Sequence, residues 1–430
     1  MRTVPIQPEP AGPAAAPRRT GPAPAWRASW LLAAPHRLGF FAGAVMLSTS
    51  AVWWLIVLAS RQGLVPPLSW TLSPTLAHAL LMSHGFMPLF ITGFLFTAGP
   101  KWLGLPPVGA RSLLAPTLAC LSGWAVFLMG VHGLAPLAAI GLSAVAWGWS
   151  GFTRRYLQLL HRATAQDRTH ARVVGCACLV GSIDLWAAVA GLMLGEPGWT
   201  LAAASVGLWW FIAPIYAAVL HRMIPFFTTA ALPVLDAWRP MWLLWTWLAV
   251  LVAQPPLAWA ARGSGPLTML AIGFNLVAGL GALWLAVRWG LVQSLRIRLL
   301  AMLHLGFVWL GLALLLQAAA QALWWLGGHA LGLAPLHALT LGFLGSVLLA
   351  MATRVSCGHG GRVLAADDIA WALFWGLQVA VVLRLLGTGQ GAASGALVLA
   401  SAVVWAAVAL GWSWRYGRWF GRPRADGRPG

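Results

Sequence analysis

The feature that most constrains this chain is the recurrence of apolar runs about twenty residues long, the length needed to cross the hydrocarbon core of a bilayer as a helix. Twelve such runs follow one another, at 37–59, 75–98, 113–130, 134–152, 173–194, 200–221, 241–261, 266–288, 299–325, 335–355, 369–387 and 393–414. Charged residues make up 8% of the sequence, against about 25% in a soluble domain. The expected fold class is therefore all-α: a polytopic transmembrane helical bundle of about twelve spans. It occupies residues 35–415. A Pro/Ala/Arg-rich tail at 1–34, read as disordered, precedes it, and a basic tail at 416–430 follows. The first tail has no apolar core or cleavage motif of a signal peptide.

The formal net charge is +19. The basic residues sit mainly in short connections between spans, which argues for topology and anionic lipid rather than nucleic acid. With twelve spans, 24 of the 27 lysines and arginines fall on the side that carries both chain ends, and only Arg61, Arg262 and Arg384 on the other. Cytoplasmic sides of membrane proteins carry this excess, so both termini are expected in the cytoplasm. The 29 tryptophans are read as interface belts and helix packing. The four cysteines, Cys120, Cys176, Cys178 and Cys357, form no CxxC and no disulfide framework.

Acidic side chains number eight, and only Asp184 lies deep in a span. A carboxylate there costs about 2.5–3.5 kcal/mol unless paired or protonated. Arg384 is the candidate partner, and proton relay is the functional alternative. No paired carboxylates, phosphate loop, HExxH or nucleophile elbow is present, which leaves a hydrolase reading without support.

The histidines carry more. His78 and His337 open the second and tenth spans from the same face and match in depth, as two axial ligands of a haem would. His221, His304 and His359 lie towards the opposite face and, with Cys357, define a possible second metal or haem site. Within HALLMSHGFMPLFITGFLFTAGPKW (78–102), Met82 shares the face of His78 at i+4 and could meet a copper ion with it. His84 lies about 120° around an unbroken helix from His78 and about 9 Å deeper. Pro88 removes the helical partner of the His84 carbonyl, so a kink is expected there and His84 is read as structural. Span ten repeats small residues at Ala338, Gly342, Ser346 and Ala350, a stripe that would bring a neighbouring backbone close and make this span central.

Four stretches carry a resemblance: GFLFTAGPKW (93–102), HRMIPFFT (221–228), LHLGFVWLGLALLL (303–316) and HALTLGFLGSVLLAMATRVSCGHGGR (337–362). In them the chain resembles the NnrS family of bacterial membrane proteins over residues 35–415. The resemblance implies an inner-membrane protein associated with b-type haem and with copper, acting in nitric oxide metabolism or resistance. It places His78, His221, Arg222, His304, His337, Arg354, His359 and Arg362 on motif positions. Where relatives tend to carry a histidine and a glutamate, this chain has Leu80 and Leu81, and an aromatic is more usual at His84.

The expected function is accordingly a haem-binding, copper-associated inner-membrane protein of nitric oxide detoxification or response. His78, Met82, His337 and His304 are the candidate metal ligands. His221, His359, Arg354 and Arg362 are further cofactor contacts, the arginines as partners of haem propionates. Its expected partners are the lipid bilayer, haem and nitric oxide. Two other classes stay open at this point: a transporter of a metal or metal–nitrosyl species, and a nitric oxide reductase-like oxidoreductase.

Overall fold

A computed structural model describes residues 25–261, 265–328, 331–389 and 391–427. All regular structure among them is helical. Eleven helices are long and apolar enough to span a membrane: α1 (Pro35–Arg61), α2 (Pro74–Trp102), α3 (Ala110–His132), α4 (Ala135–His161), α5 (Thr169–Met193), α6 (Pro197–Ala231), α8 (Gly265–Arg288), α9 (Arg298–Gly327), α10 (Ala334–His359), α11 (Asp368–Leu386) and α12 (Ser394–Phe420). The seventh apolar run is a bent pair, α7, made of Met241–Val252 and Gln254–Ala260 at 40°. Pro255 and Pro256 follow the bend, where their missing N–H groups break the helical ladder. Counted as one span, it completes the expected twelve.

The start of the described chain and the end of α12 meet on one face, as an even number of spans requires. The Arg27 N–H donates to the Gly421 carbonyl at 2.8 Å, and Arg37 Nη1 donates to the Arg422 carbonyl at 2.6 Å. Most of the expected N-terminal tail lies outside the described residues, as do Arg262 and His329. Its last part is ordered rather than irregular: Ala28–Ala33 form a short 3-10 helix beside α1. At the other end α12 continues to Phe420, six residues beyond the expected limit of 414.

Three spans contain a wide π-helical turn: Leu81–Gly85 in α2, Leu208–Ile212 in α6 and Ala338–Gly345 in α10. In the first two, a proline explains the turn. Pro88 and Pro214 each begin the α-helical segment that follows. The ring of a proline clashes with the carbonyl four residues back, here His84 and Trp210, and a wider turn relieves that clash. The expected kink at Pro88 is thus taken up as a change of helical register.

These three spans also form the core. The most apolar stretch of α2 is 83% buried, that of α10 78% and that of α6 72%, against 33% for α8, α11 and α12. The small-residue stripe of α10 works differently from the expectation. The π turn interrupts its four-residue spacing, and Gly342 makes room for the Trp309 ring of α9 rather than for a backbone. The close backbone approach comes from the neighbour: a Cβ on Gly306 of α9 would lie 3.1 Å from Ser346 Cβ and Val347 N. One polar chain links α9, α11 and α10 within the core. Trp309 Nε1 donates to Gln378 Oε1 at 2.7 Å, and Gln378 Nε2 donates to Ser346 Oγ at 2.9 Å.

Candidate functional site

The first turns of α2 and α10 enter the bundle side by side on the face opposite the chain ends, and each brings a histidine. The His78 and His337 ring centroids are 6.5 Å apart, with 23° between the ring planes. Two imidazoles bound on opposite sides of one metal, with metal–nitrogen distances of about 2 Å, place their ring centroids about 6.3 Å apart. His337 Nδ1 donates to the Leu333 carbonyl at 2.9 Å. That bond fixes the tautomer and leaves Nε2 as a free lone pair, the arrangement metal-bound histidines show. His78 Nδ1 is buried without a partner. The Trp54 ring of α1 packs on His78 at a centroid distance of 3.8 Å and holds it in place.

The two histidines line a cleft with Trp54, Met82, Phe86, Leu341, Arg384 and Trp405 among its walls. It is an apolar slot with two imidazoles, a thioether and one guanidinium. Arg384 therefore belongs to this cleft and not to Asp184, contrary to the pairing expected from sequence. Arg61 stands at its mouth, over the Trp54 ring at 5.4 Å. Both arginines are among the three outer-side exceptions to the charge alternation, a signal present in the sequence.

Asp184 is paired instead with His84. Its Oδ2 lies 3.0 Å from His84 Nε2, and both side chains are buried. The approach is too bent for a hydrogen bond as the side chains stand, and neither atom has any hydrogen-bond partner. His84 is therefore not merely a companion of the Pro88 turn. The two also match in depth, a signal present in the sequence: His84 lies ten residues and Asp184 nine from the same end of their spans.

The histidines nearer the chain ends do not converge. His221 Nε2 donates to the Pro240 carbonyl at 3.1 Å, and its Nδ1 faces His170 Nε2 at 3.0 Å. His304 Nε2 is bonded to Thr228 Oγ1 at 3.0 Å, with Nδ1 buried and unpartnered. His359 packs against His36, ring centroids 4.7 Å apart. Cys357 Sγ donates to the Ala365 carbonyl at 3.9 Å. Among the described residues no three His, Cys, Asp or Glu side chains gather as around one metal ion, so the second site expected from sequence is divided among separate partners. Arg354 lies over the Phe227 ring at 3.8 Å, Arg362 over Trp419 at 4.1 Å and Arg222 over Trp102 at 5.1 Å. Arg354 follows His337 by 17 residues, about 26 Å along α10, and so cannot reach the cleft.

Leu80 and Leu81, which stand where the resemblance implies a histidine and a carboxylate, are fully buried in the α2 packing.

Eleven or twelve apolar helices long enough to span a membrane define a polytopic helical membrane protein, with two imidazoles beside one another in an apolar cleft. The chain belongs to the NnrS family: the family model described as NnrS protein matches residues 30–424. That membership makes it a nitric-oxide-related membrane protein. No curated protein matches the chain.

Proposed function

We propose that the cleft between His78 and His337 binds a b-type haem and that the protein acts in nitric oxide detoxification or response in the bacterial inner membrane. The observation that carries this reading is the spacing of the two imidazoles, together with the Leu333 carbonyl that leaves His337 Nε2 free. Haem held there would supply an iron that changes oxidation state by one electron. The protein's own groups do the rest. His78 and His337 offer the ring nitrogens, and Trp54 keeps the His78 ring from turning away. Arg384 offers a cation to the carboxylates of such a group, and Phe86 and Trp405 keep water out. The distribution of arginines supports termini in the cytoplasm and a cleft that opens to the outer side.

The test is the absorption spectrum of detergent-purified protein expressed with ample haem. A Soret band that His78→Ala and His337→Ala each abolish or shift is expected, and no Soret band in the unsubstituted chain would sink the reading. Met82 in the same cleft favours copper as a second occupant, because thioether and imidazole together suit that metal. Metal analysis should then show copper that Met82→Leu removes and that competes with haem. Uptake of metal into proteoliposomes without any bound chromophore would favour a transporter, and steady nitric oxide turnover with an electron donor would favour a reductase.

A further inference from the structure

The His78–His337 cleft makes no use of His84 and Asp184, yet these are the costlier pair. Each lies about 15 Å from the end of its span, near the middle of a core about 30 Å thick. His84 is 2% exposed and Asp184 5%. An ionisable group at this depth is expensive, and two in contact call for a reason.

Hydrogen-bond donors settle part of their protonation. The Ser83 hydroxyl has one hydrogen and donates it to the Ala79 carbonyl at 2.5 Å. Its oxygen, 2.8 Å from His84 Nδ1, must therefore accept, and Nδ1 carries a hydrogen. What remains is Nε2, 3.0 Å from Asp184 Oδ2. A bare Nε2 opposite an ionised carboxylate would set lone pair against lone pair, with an uncompensated charge in a medium of low dielectric. One proton in the gap removes both penalties, as imidazolium with carboxylate or as imidazole with carboxylic acid. No third His, Cys, Asp or Glu joins the pair among the described residues to complete a metal site.

The surroundings close the site. A Cβ on Gly207 of α6 would overlap both Asp184 Oδ2 and His84 Nε2, so bare backbone covers that side. The Phe211 ring lies 5.9 Å from the His84 ring and covers another. The π turns of α2 and α6 flank this contact, and such turns concentrate at functional sites. Side chains packed on this region from α1, α4 and α6 include Ser50, Trp149 and Phe211, none of which titrates near neutral pH. Along the spans themselves, the next titratable groups are His78 on α2 and Cys178 on α5, each six residues away, and Tyr216 on α6.

We propose that His84 and Asp184 form an intramembrane proton-binding site, which holds one proton between Nε2 and Oδ2 and gains or loses it as a unit. The proton comes from water and returns to it; loading takes the pair from a net charge of −1 to 0. A proton at this depth can offset an electron arriving in the neighbouring cleft, but the site exists whether or not the cleft holds a cofactor.

The experiment is a pH titration of the detergent-purified full chain with ring-15N histidine and 13C-carboxyl aspartate, followed by NMR and infrared spectroscopy. A through-space 15N–13C correlation identifies the pair in the unsubstituted chain. The His84 ring and the Asp184 carboxyl are expected to change at one common pH. Replacing either partner (His84→Gln or Asp184→Asn) should shift the other's proton affinity by about tenfold or more. Two independent transitions in the unsubstituted chain would overturn the proposal. So would a bare Nε2 opposite an ionised Asp184 throughout, or a partner indifferent to the substitution. If neither variant folds, the unsubstituted spectrum alone decides between one shared transition and two.

Discussion

A methyl group at position 207 would occupy the space now held by Asp184 Oδ2 and His84 Nε2, so glycine is the residue that lets α6 close on the pair. Gly207→Ala is expected to cost about 1–3 kcal/mol, as overpacking of a filled interior does, read as a lower thermal unfolding midpoint in detergent. An unchanged midpoint would mean that the pair can move aside freely. Arg384, rather than the arginines of the opposite face, lines the cleft in which haem is proposed. Arg384→Gln should lower haem affinity by about tenfold or more, the scale of one charge-assisted hydrogen bond. Arg354→Gln and Arg362→Gln should leave that affinity unchanged, and spectral titration with haem separates the two outcomes. His78 and His337 were legible as a pair because span ends show which side chains share a depth. Met82 was legible by its i+4 spacing. Arg384 was visible as an outer-side exception to the charge pattern, but depth alone does not say which neighbour a guanidinium meets.

At the scale of helices, glycines that look alike in the sequence separate by what lies against them. Gly306 of α9 faces Ser346 and Val347 of α10 at 3.1 Å, whereas Gly273 of α8 has nothing within 4 Å of an added Cβ. Gly306→Val is therefore expected to destabilise by about 1–3 kcal/mol. Gly273→Val should be close to neutral, and reversible unfolding of the two variants in the same detergent makes the comparison. The π turns belong to this scale as well. Pro88 announced a disturbance in α2, and Pro214 could have announced the one in α6. No proline follows the π turn of α10, and the packing around Gly342 and Trp309 is what accompanies it. Regular spacing arguments fail across such turns: the small-residue stripe of α10 and the 120° offset between His78 and His84 both presume an unbroken α-helix.

For the molecule as a whole, the contact of Arg27 and Arg37 with the end of α12 puts the start of the first span and the end of the last on one face. With the arginine-rich connections on that same face, reporters of cytoplasmic location are expected to be active when fused after Gly430 or inserted in 232–240. Reporters of the outer side should be active in 62–73. The reverse pattern would place the His78–His337 cleft on the cytoplasmic side and overturn the orientation proposed above.

Eleven or twelve spans, their order and the chain segments that share a face are legible from the amino-acid sequence. These follow from hydropathy, length and the placement of positive charge, all of which act along the chain. The nearness of His78 and His337 was legible too, because depth in a membrane can be read residue by residue from a span end. Only the tertiary structure decided azimuth and partnership: that Asp184 meets His84, that Arg384 meets the cleft, and that His221, His304 and His359 go to separate neighbours. Those outcomes depend on helix rotation and on the π turns that reset it. In a bundle that is apolar on nearly every face, hydropathy carries no record of rotation.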